Sequence, residues 1–401
     1  AKYVVLTSKH HDGYCLWPNK EASQSYNMPW NSTDSGPKRD LVGDLTTAVK
    51  QEGIKMGLYY SIWDWYNPYW TKEQQQIMSS GSLSVDTASN GDRKSKISQE
   101  DVAAAKAGLN KYVHEVMYPQ VKQLMMEYEP ALLFSDGDWW MDYEKWQTLP
   151  LLSWALNNVP NKDELVLNDR WGKVRGKHGS YYTTEYGSGF SDGSKPWEEN
   201  RGIGMSFGIN RIENIDDYRT NKELIFMLMD IISRGGNLLL NIGPNADGTI
   251  PVIMQQRLLE IGNWLNIYSE GIYETRQWIK DAQWSEGKRP VFTKSDFHSG
   301  FPIYEMTINP KLGYSVKEFW FTQKGSNLYA FSPEWPKTNS IFIKDVKPTK
   351  ETKISLMGCD KSLKYNETPD GITVDISSIG IRDLKSKFVF GFKISNIKQN
   401  L

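Results

Sequence analysis

The sequence predicts an α/β protein: a (β/α)8-type barrel lacking its first strand, followed by a C-terminal antiparallel β-sandwich. Three observations carry this. Short apolar or β-branched runs near residues 4, 57, 133, 166, 182, 206 and 239 are mostly separated by stretches of helical periodicity. These runs end in polar or aromatic clusters, as strands do at the carboxyl face of a barrel. From about residue 276 the texture changes to short alternating segments joined by Pro, Gly, Asn and Lys turns. A chain of 401 residues is too long for one ordinary core. Two domains are expected, a barrel over 1–275 and a sandwich over 276–401.

Val4 to Thr7 is the first strand, and Ser8-Lys9-His10-His11-Asp12-Gly13-Tyr14 is its polar exit, with Trp17-Pro18 closing the turn. Asp40 begins an amphipathic helix that runs to about Gln51 and stops at Gly53. Lys55 to Ser61 is the second strand, and Trp63, Trp65, Tyr66, Tyr69 and Trp70 crowd its end. Between Ser79 and Ser98 the chain turns to Ser, Gly, Asn and Asp, the composition of an exposed insertion. Helical periodicity covers Gln99 to Tyr128, with a break or kink expected at Pro119.

Leu132-Leu133-Phe134-Ser135-Asp136-Gly137-Asp138-Trp139-Trp140 delivers a carboxylate at a strand end beside two indoles. A strand ending in a polar Asp-Gly turn is the plainer reading of that segment alone. A helix is expected around Trp146 to Leu156. Strands follow at Leu165 to Trp171, Ser180 to Tyr186 and Met205 to Asn210, with Pro196-Trp197-Glu198-Glu199 in a loop. Glu223 to Ser233 is an apolar helix, Gly236 to Pro244 a buried strand, and Ile253 to Tyr268 a closing helix. Eight strands close a (β/α) barrel. The chain opens at Ala1-Lys2-Tyr3-Val4-Val5, already inside a strand, so the missing strand should be the first.

The 47 basic and 48 acidic residues nearly cancel, which gives no electrostatic reason to expect nucleic acid or an anionic membrane surface as a partner. No apolar run reaches transmembrane length, and no signal peptide is visible. Cys15 and Cys359 lie far apart in sequence, so no structural disulfide is expected. The 16 tryptophans and 21 tyrosines suit stacking against carbohydrate as well as core packing.

Because barrel exits converge on one face, His10, His11, Tyr60, Asp136, Arg170, Glu185 and Phe207 can surround one pocket. Two carboxylates on different strands are what a retaining glycosidase needs, an ionised nucleophile and a protonated acid about 5 to 5.5 Å apart. Histidines and an arginine would hydrogen-bond hydroxyls, and indoles would take the apolar face of a sugar. The adjacent histidines alternate faces on a strand and have no third histidine at ligand spacing, which speaks against a metal site.

The segments KYVVLTSKHHDGYCLW (Lys2 to Trp17), WNSTDSGPKRDLVGDL (Trp30 to Leu45), MGLYYSIWDW (Met56 to Trp65), FSDGDW (Phe134 to Trp139), NDRWG (Asn168 to Gly172), YYTTEY (Tyr181 to Tyr186), Trp197-Glu198 and GNLLLNIGP (Gly236 to Pro244) together resemble the family-29 glycoside hydrolases, the α-L-fucosidases. The resemblance spans nearly all of residues 1–275. It implies a retaining exo-hydrolase that releases terminal α-L-fucose from glycoconjugates without metal or other cofactor. It implies Asp136 as nucleophile, and His10, His11, Trp17, Tyr60 (with Tyr59 open) and Arg170 as sugar-binding residues. The acid/base stays open between Glu185 and Glu198. Asp138 stands where glutamate is more usual. A periplasmic, secreted or lysosomal location is implied, with the signal region absent from this chain. Without its first strand the barrel is expected to lose part of its sugar site, and weak or no activity is expected of the chain as it stands. The competing readings are a barrel glycosidase of other sugar specificity and an impaired carbohydrate-binding fragment.

Overall fold

The computed structural model describes residues 1–79, 98–187, 189–190, 195–289 and 307–398. The insertion expected between Ser79 and Ser98 lies, apart from its ends, outside the described residues. The chain divides into two compact units, 1–182 and 183–401.

In the first unit β1 (Tyr3–Lys9), β2 (Lys55–Ser61), β3 (Leu132–Asp136) and β4 (Val166–Leu167) form a four-stranded parallel sheet in sequence order. Helices α1 (Lys20–Tyr26), α2 (Leu41–Gln51), α3 (Lys72–Ser79), α4 (Gln99–Tyr112), α5 (Tyr118–Glu127) and α6 (Thr148–Asn158) fill the connections. Helix α2 begins where the sequence placed it, because the Asp40 carboxylate accepts the Gly43 N–H and so caps the first turn. The break expected at Pro119 is a π-helical turn over Val113–Met117, which joins α4 to α5. A wider turn absorbs the hydrogen bond that proline cannot donate.

Strand β4 is shorter than the apolar run suggests. Beyond Leu167 the Asn168 side chain replaces the ladder: its Oδ1 accepts the Ser135 N–H at 3.0 Å and its Nδ2 donates to the Ser135 carbonyl at 2.8 Å. This clamp on β3 sets the path of the chain towards Arg170.

In the second unit β5 (Tyr182–Glu185), β6 (Trp197–Gly202) and β7 (Gly236–Asn241) form a three-stranded sheet in that order, with β6 and β7 parallel. Helices α7 (Asn221–Ser233) and α8 (Val252–Tyr268) follow, α7 opened by a capping box between Thr220 and Glu223. The sequence expected a strand over Met205 to Asn210 and a loop around Glu198, and here the structure corrects it. Met205 and Phe207 lie on bends, Ile209 follows them outside any strand, and all three are exposed, while Trp-Glu-Glu-Asn-Arg-Gly is the strand. A polar strand is stable inside because its charges pair: Arg201 holds the Glu199 carboxylate at 2.7 Å, and the Thr184 hydroxyl donates to the same carboxylate.

The remaining strands are β8 (Ala282–Trp284), β9 (Lys317–Lys324), β10 (Asn327–Ser332), β11 (Ser340–Lys344), β12 (Pro348–Leu356), β13 (Ser362–Leu363), β14 (Tyr365–Thr368), β15 (Gly371–Asp375) and β16 (Phe390–Ile397). They form a six-stranded sheet, β13-β12-β16-β10-β9-β8, and a three-stranded one, β11-β15-β14. Phe321 and Phe392 of the first share one core with Ile343, Ile372 and Val374 of the second, as in a sandwich. A separate apolar cluster joins this β-region to the helices before it: Phe226 of α7 meets Trp320 of β9 edge-on, and Trp264 of α8 lies beside Phe331 of β10.

Candidate active site

Strand pairing in the first unit sets the geometry. Tyr59 lies opposite Phe134, and Ser61 opposite Asp136, in the parallel register of β2 and β3. Side chains alternate along a strand, so Tyr59 and Ser61 share the face that carries Asp136, while Tyr60 points to the other. The Tyr59 hydroxyl donates to Asp136 Oδ2 at 2.8 Å, and Arg170 Nη1 donates to Asp136 Oδ1 at 2.9 Å. His11 Nε2 stands 3.7 Å from Asp136 Oδ2.

Burial by itself would raise the Asp136 carboxyl, but the Arg170 charge and the Tyr59 hydroxyl more than offset it. The net result is a carboxyl held below its ordinary value and so ionised at neutral pH. The Arg170 guanidinium is itself buried and packed over the Phe134 ring at 4.9 Å, so it cannot swing away into solvent.

His11 is fixed from behind. The Ser61 hydroxyl donates to the Trp63 carbonyl at 2.8 Å, and both oxygens lie on His11 Nδ1. Two acceptors on that side place the ring proton on Nδ1 and leave the Nε2 lone pair facing the Asp136 side. Burial and the neighbouring His10 push the His11 pKa down to about 4, so the ring is neutral at neutral pH. A neutral imidazole with an outward lone pair can accept a hydrogen bond from a hydroxyl group. Trp65 stacks on His11 at 4.6 Å and Trp139 leans against it at 4.9 Å. His10 lies over Tyr59 at 5.7 Å, at the exposed rim.

The exit loops are tied together below this surface. Trp65 N–H donates to the His11 carbonyl and Ile62 N–H to the Asp136 carbonyl, both at 2.8 Å. Lys9 and Asp64 form a fully buried ion pair at 2.5 Å, and the Tyr60 and Tyr112 hydroxyls complete the shell of the Lys9 ammonium. Gly137 has φ +86°, and a Cβ there would lie 3.0 Å from Trp63 Cβ and 3.4 Å from His11 Cε1. The turn after Asp136 therefore needs glycine for its backbone and for the room that His11 occupies.

Two expected sugar-binding residues take other roles. Tyr60 is fully buried on the opposite face, donating to Gln120 Oε1 at 2.7 Å; Tyr59 is the tyrosine that touches Asp136. Trp17 is also fully buried, with its indole N–H on Gln123 at 3.0 Å, and offers no face to a sugar. Replacing Tyr59 by Phe is expected to lower kcat/KM about 10- to 100-fold, the worth of a hydrogen bond to a charged group. The melting temperature should stay near that of the parent. Tyr60→Phe should lower the melting temperature and leave kcat/KM within about threefold. Paired kinetics and thermal melts check this, and the reverse pattern would contradict it.

Asp138 sits behind the site. Burial pushes its carboxyl up to about 6 against the pull of Arg175, whose Nη2 is 3.3 Å away, and of Arg170. Its carboxylate holds Arg175. Lys9, Asp64, Asn168, Trp65 and Trp139 were not singled out as site residues. The period-two parity of β2 against Asp136 is the signal that would have chosen Tyr59.

The two candidate acids lie in the second unit. On β6, Trp197 and Arg201 share the face that meets α7: the indole donates to the Arg234 carbonyl, and Arg201 Nη1 lies 3.9 Å from Met227 Sδ. Glu199 is on that face too, and Thr184 of β5 reaches it. Alternation then puts Glu198 and Glu185 together on the opposite face. The Tyr186 N–H donates to the Asn200 carbonyl at 3.2 Å, so Glu185 is level with the later part of β6 and Glu198 lies deeper, near its start. Glu198 is buried and Glu185 half-buried at its strand exit. Phe207 and Tyr186, both exposed, contact each other at 5.0 Å just past Glu185. Among the described residues no group of three His, Cys, Asp or Glu is arranged to hold a metal.

A family model described as Alpha-L-fucosidase matches residues 1–270, and one described as Alpha-L-fucosidase C-terminal domain matches 314–395. An alpha-L-fucosidase of Dictyostelium discoideum is 34% identical over 412 residues, covering 99% of this chain and 74% of that protein. The tissue alpha-L-fucosidase of Homo sapiens is 33% identical over 404 residues, covering 99% and 72%. Among solved structures, Thermotoga maritima alpha-fucosidase in complex with fucose superposes with a TM-score of 0.67 at 28% identity, covering 98% of this chain and 76% of that one. Alpha-L-fucosidase isoenzyme 1 from Paenibacillus thiaminolyticus gives 0.70 at 23%, covering 99% and 83%.

Proposed function

The chain belongs to the α-L-fucosidase family, and on that premise we propose that Asp136 is its catalytic nucleophile and Glu185 its acid/base. The protein is a glycoside hydrolase of the fucosidase kind, a retaining exo-α-L-fucosidase whose fold is a (β/α)-type barrel followed by an antiparallel β-domain. Its substrate is a terminal α-L-fucosyl group. The reading as a silent binding fragment is not favoured. We place the domain division near residue 275, and we take neither nucleic acid nor membrane as a partner.

The observation that carries the assignment is Asp136 at the exit of β3, buried and held ionised by Arg170 and Tyr59. In the first step an Asp136 oxygen bonds to the anomeric carbon as the glycosidic C–O bond breaks. Glu185 gives its proton to the departing oxygen. In the second step Glu185, now a carboxylate, takes a proton from water, whose oxygen displaces Asp136 and restores the α configuration. Arg170 and Tyr59 fix the nucleophile, His11 and His10 accept sugar hydroxyls, and Trp65 and Trp139 flank the ring. Glu185 is preferred over Glu198 because it stands at its strand exit and is partly open to the water it must activate.

Glu185→Gln is expected to lose about 10²- to 10⁴-fold in kcat on a fucosyl disaccharide, the usual worth of acid catalysis. It should keep near-parent rates for glycosylation by a dinitrophenyl fucoside, whose leaving group needs no proton. Added azide should yield the α-fucosyl azide. Equal losses on both substrates, with no azide product, would transfer the role to Glu198.

A further inference from the structure

Four charged side chains of the second unit meet around the end of α7 and the start of β9. Asp230 on α7 is fully buried and forms an ion pair with Lys317, the first residue of β9, which is itself almost fully buried. The Thr307 hydroxyl donates to the other Asp230 oxygen at 3.2 Å, and Asp281 stands 3.9 Å from the Lys317 ammonium. Arg234, at the end of α7, is buried too. Its Nε lies 3.7 Å from the Asp230 carboxylate and donates to the Asp230 carbonyl at 3.1 Å. The cluster thus begins on the C-terminal β-domain and ends on a guanidinium of the catalytic domain.

What Arg234 holds gives the cluster its meaning. Its Nη1 donates to the Phe190 carbonyl, in the segment that leaves Glu185, and its guanidinium lies over the Trp197 ring at 5.2 Å. Trp197 is the residue before Glu198, and its indole N–H returns to the Arg234 carbonyl at 3.4 Å. The ring is gripped between two glycines. A Cβ at Gly189 would lie 1.8 Å from it and one at Gly236 2.4 Å from it. One guanidinium therefore fixes both the segment following β5 and the start of β6, the two pieces of chain that carry the candidate acids.

We propose that Lys317 of the β-domain is a positioning residue for acid/base catalysis, acting through Asp230 and Arg234 on the placement of β5 and β6. Lys317 satisfies the Asp230 carboxylate from one side, which lets Arg234 spend its donors on Phe190 and its face on Trp197. With the ammonium gone, the carboxylate draws the guanidinium towards itself, because a buried charge without its partner recruits the nearest opposite one. The grip on Phe190 and Trp197 loosens, and the acid shifts relative to the leaving oxygen. This extends the assignment of the acid/base to β5 or β6 and rests on it.

The test compares a fucosyl disaccharide with a dinitrophenyl fucoside for the parent, Lys317→Met and Glu185→Gln enzymes. A displaced acid slows glycosylation only for the substrate that needs protonation, and kcat/KM, which ends at that step, reads this free of the later water attack. For Lys317→Met the disaccharide kcat/KM should fall roughly 10- to 100-fold, the scale of a misplaced catalytic group, with the dinitrophenyl kcat/KM near the parent value. A merely structural lysine would lower the melting temperature and leave the ratio of the two rates unchanged. Selectivity in Glu185→Gln without selectivity in Lys317→Met overturns the coupling and leaves Glu185 standing as acid. Selectivity in Lys317→Met alone supports the coupling and moves the acid to Glu198; selectivity in neither overturns both. If Lys317→Met does not fold, Thr307→Val removes only the hydroxyl on Asp230 and should show the same selectivity at about threefold, one hydrogen bond's worth. An unchanged ratio there overturns the coupling.

Discussion

Asp136→Gly is expected to lower kcat by about 10⁴-fold or more, the loss typical of removing a covalent nucleophile, while fucose still binds. Asp136 is the carboxylate of this site that is both at a strand exit and held ionised. Glycine removes the nucleophile and opens space at the anomeric carbon. Azide entering that space should attack from the vacated side, forming a C–N bond as the aryloxide leaves, and give β-fucosyl azide. The opposite configuration distinguishes this variant from Glu185→Gln, whose intact fucosyl-enzyme is attacked from the other face to give the α-azide. Parent-like hydrolysis by Asp136→Gly would remove it from the mechanism.

Arg170→Met carries an effect on the scale of Glu185→Gln. The guanidinium supplies a charge-assisted hydrogen bond at 2.9 Å to a carboxylate that is 7% exposed. Breaking a buried pair by removing one partner costs about 3–5 kcal/mol. If the transition state bears a similar cost, kcat/KM falls roughly 10²- to 10⁴-fold. The pH dependence has a definite sign. In the parent the Asp136 carboxyl lies below its ordinary value, so the nucleophile stays ionised into acid. Without Arg170, burial dominates and the carboxyl rises, so the acid limb of kcat/KM moves to higher pH. Stability follows the same linkage: the paired carboxylate stabilises the parent above the unfolded aspartate pKa, and that contribution fades as pH falls through the native value. The stability gap between parent and variant should therefore be widest near neutral pH and narrow in acid. A pH-rate profile with thermal melts checks both limbs, and an unmoved acid limb would contradict the role given to Arg170.

Most of the scaffold was legible because its elements obey simple periods. β1, β2, β3 and β7 are apolar runs with polar exits, α2, α7 and α8 show helical spacing, and α2 and α7 carry recognisable caps. The Asp136 turn was legible too, since carboxylate, glycine and indoles in that order ask for a strand exit. The failures share one cause: sequence shows which groups are polar and not which are paired. Trp197–Gly202 looks like a solvated loop until Arg201 and Thr184 are found on Glu199, while the apolar Met205, Phe207 and Ile209 turn out to be exposed. β4 ends early because an asparagine side chain substitutes for backbone, which no propensity records. Tyr59 and Tyr60 are neighbours of one type, and only the register against β3 tells the site residue from the core residue. The Lys9–Asp64 pair joins residues 55 positions apart, beyond the reach of any local pattern.

The central claim is that Asp136 forms the covalent bond to fucose. Treating the protein with a 2-fluoro fucosyl fluoride slows hydrolysis of the fucosyl-enzyme and lets it accumulate for mass spectrometry of the digested chain. The sugar should be found on the peptide carrying Asp136, with fragmentation placing it on that carboxylate, and Asp136→Gly should take up none. A label on Asp138, Glu185 or Glu198, or equal labelling of the glycine variant, would contradict the account.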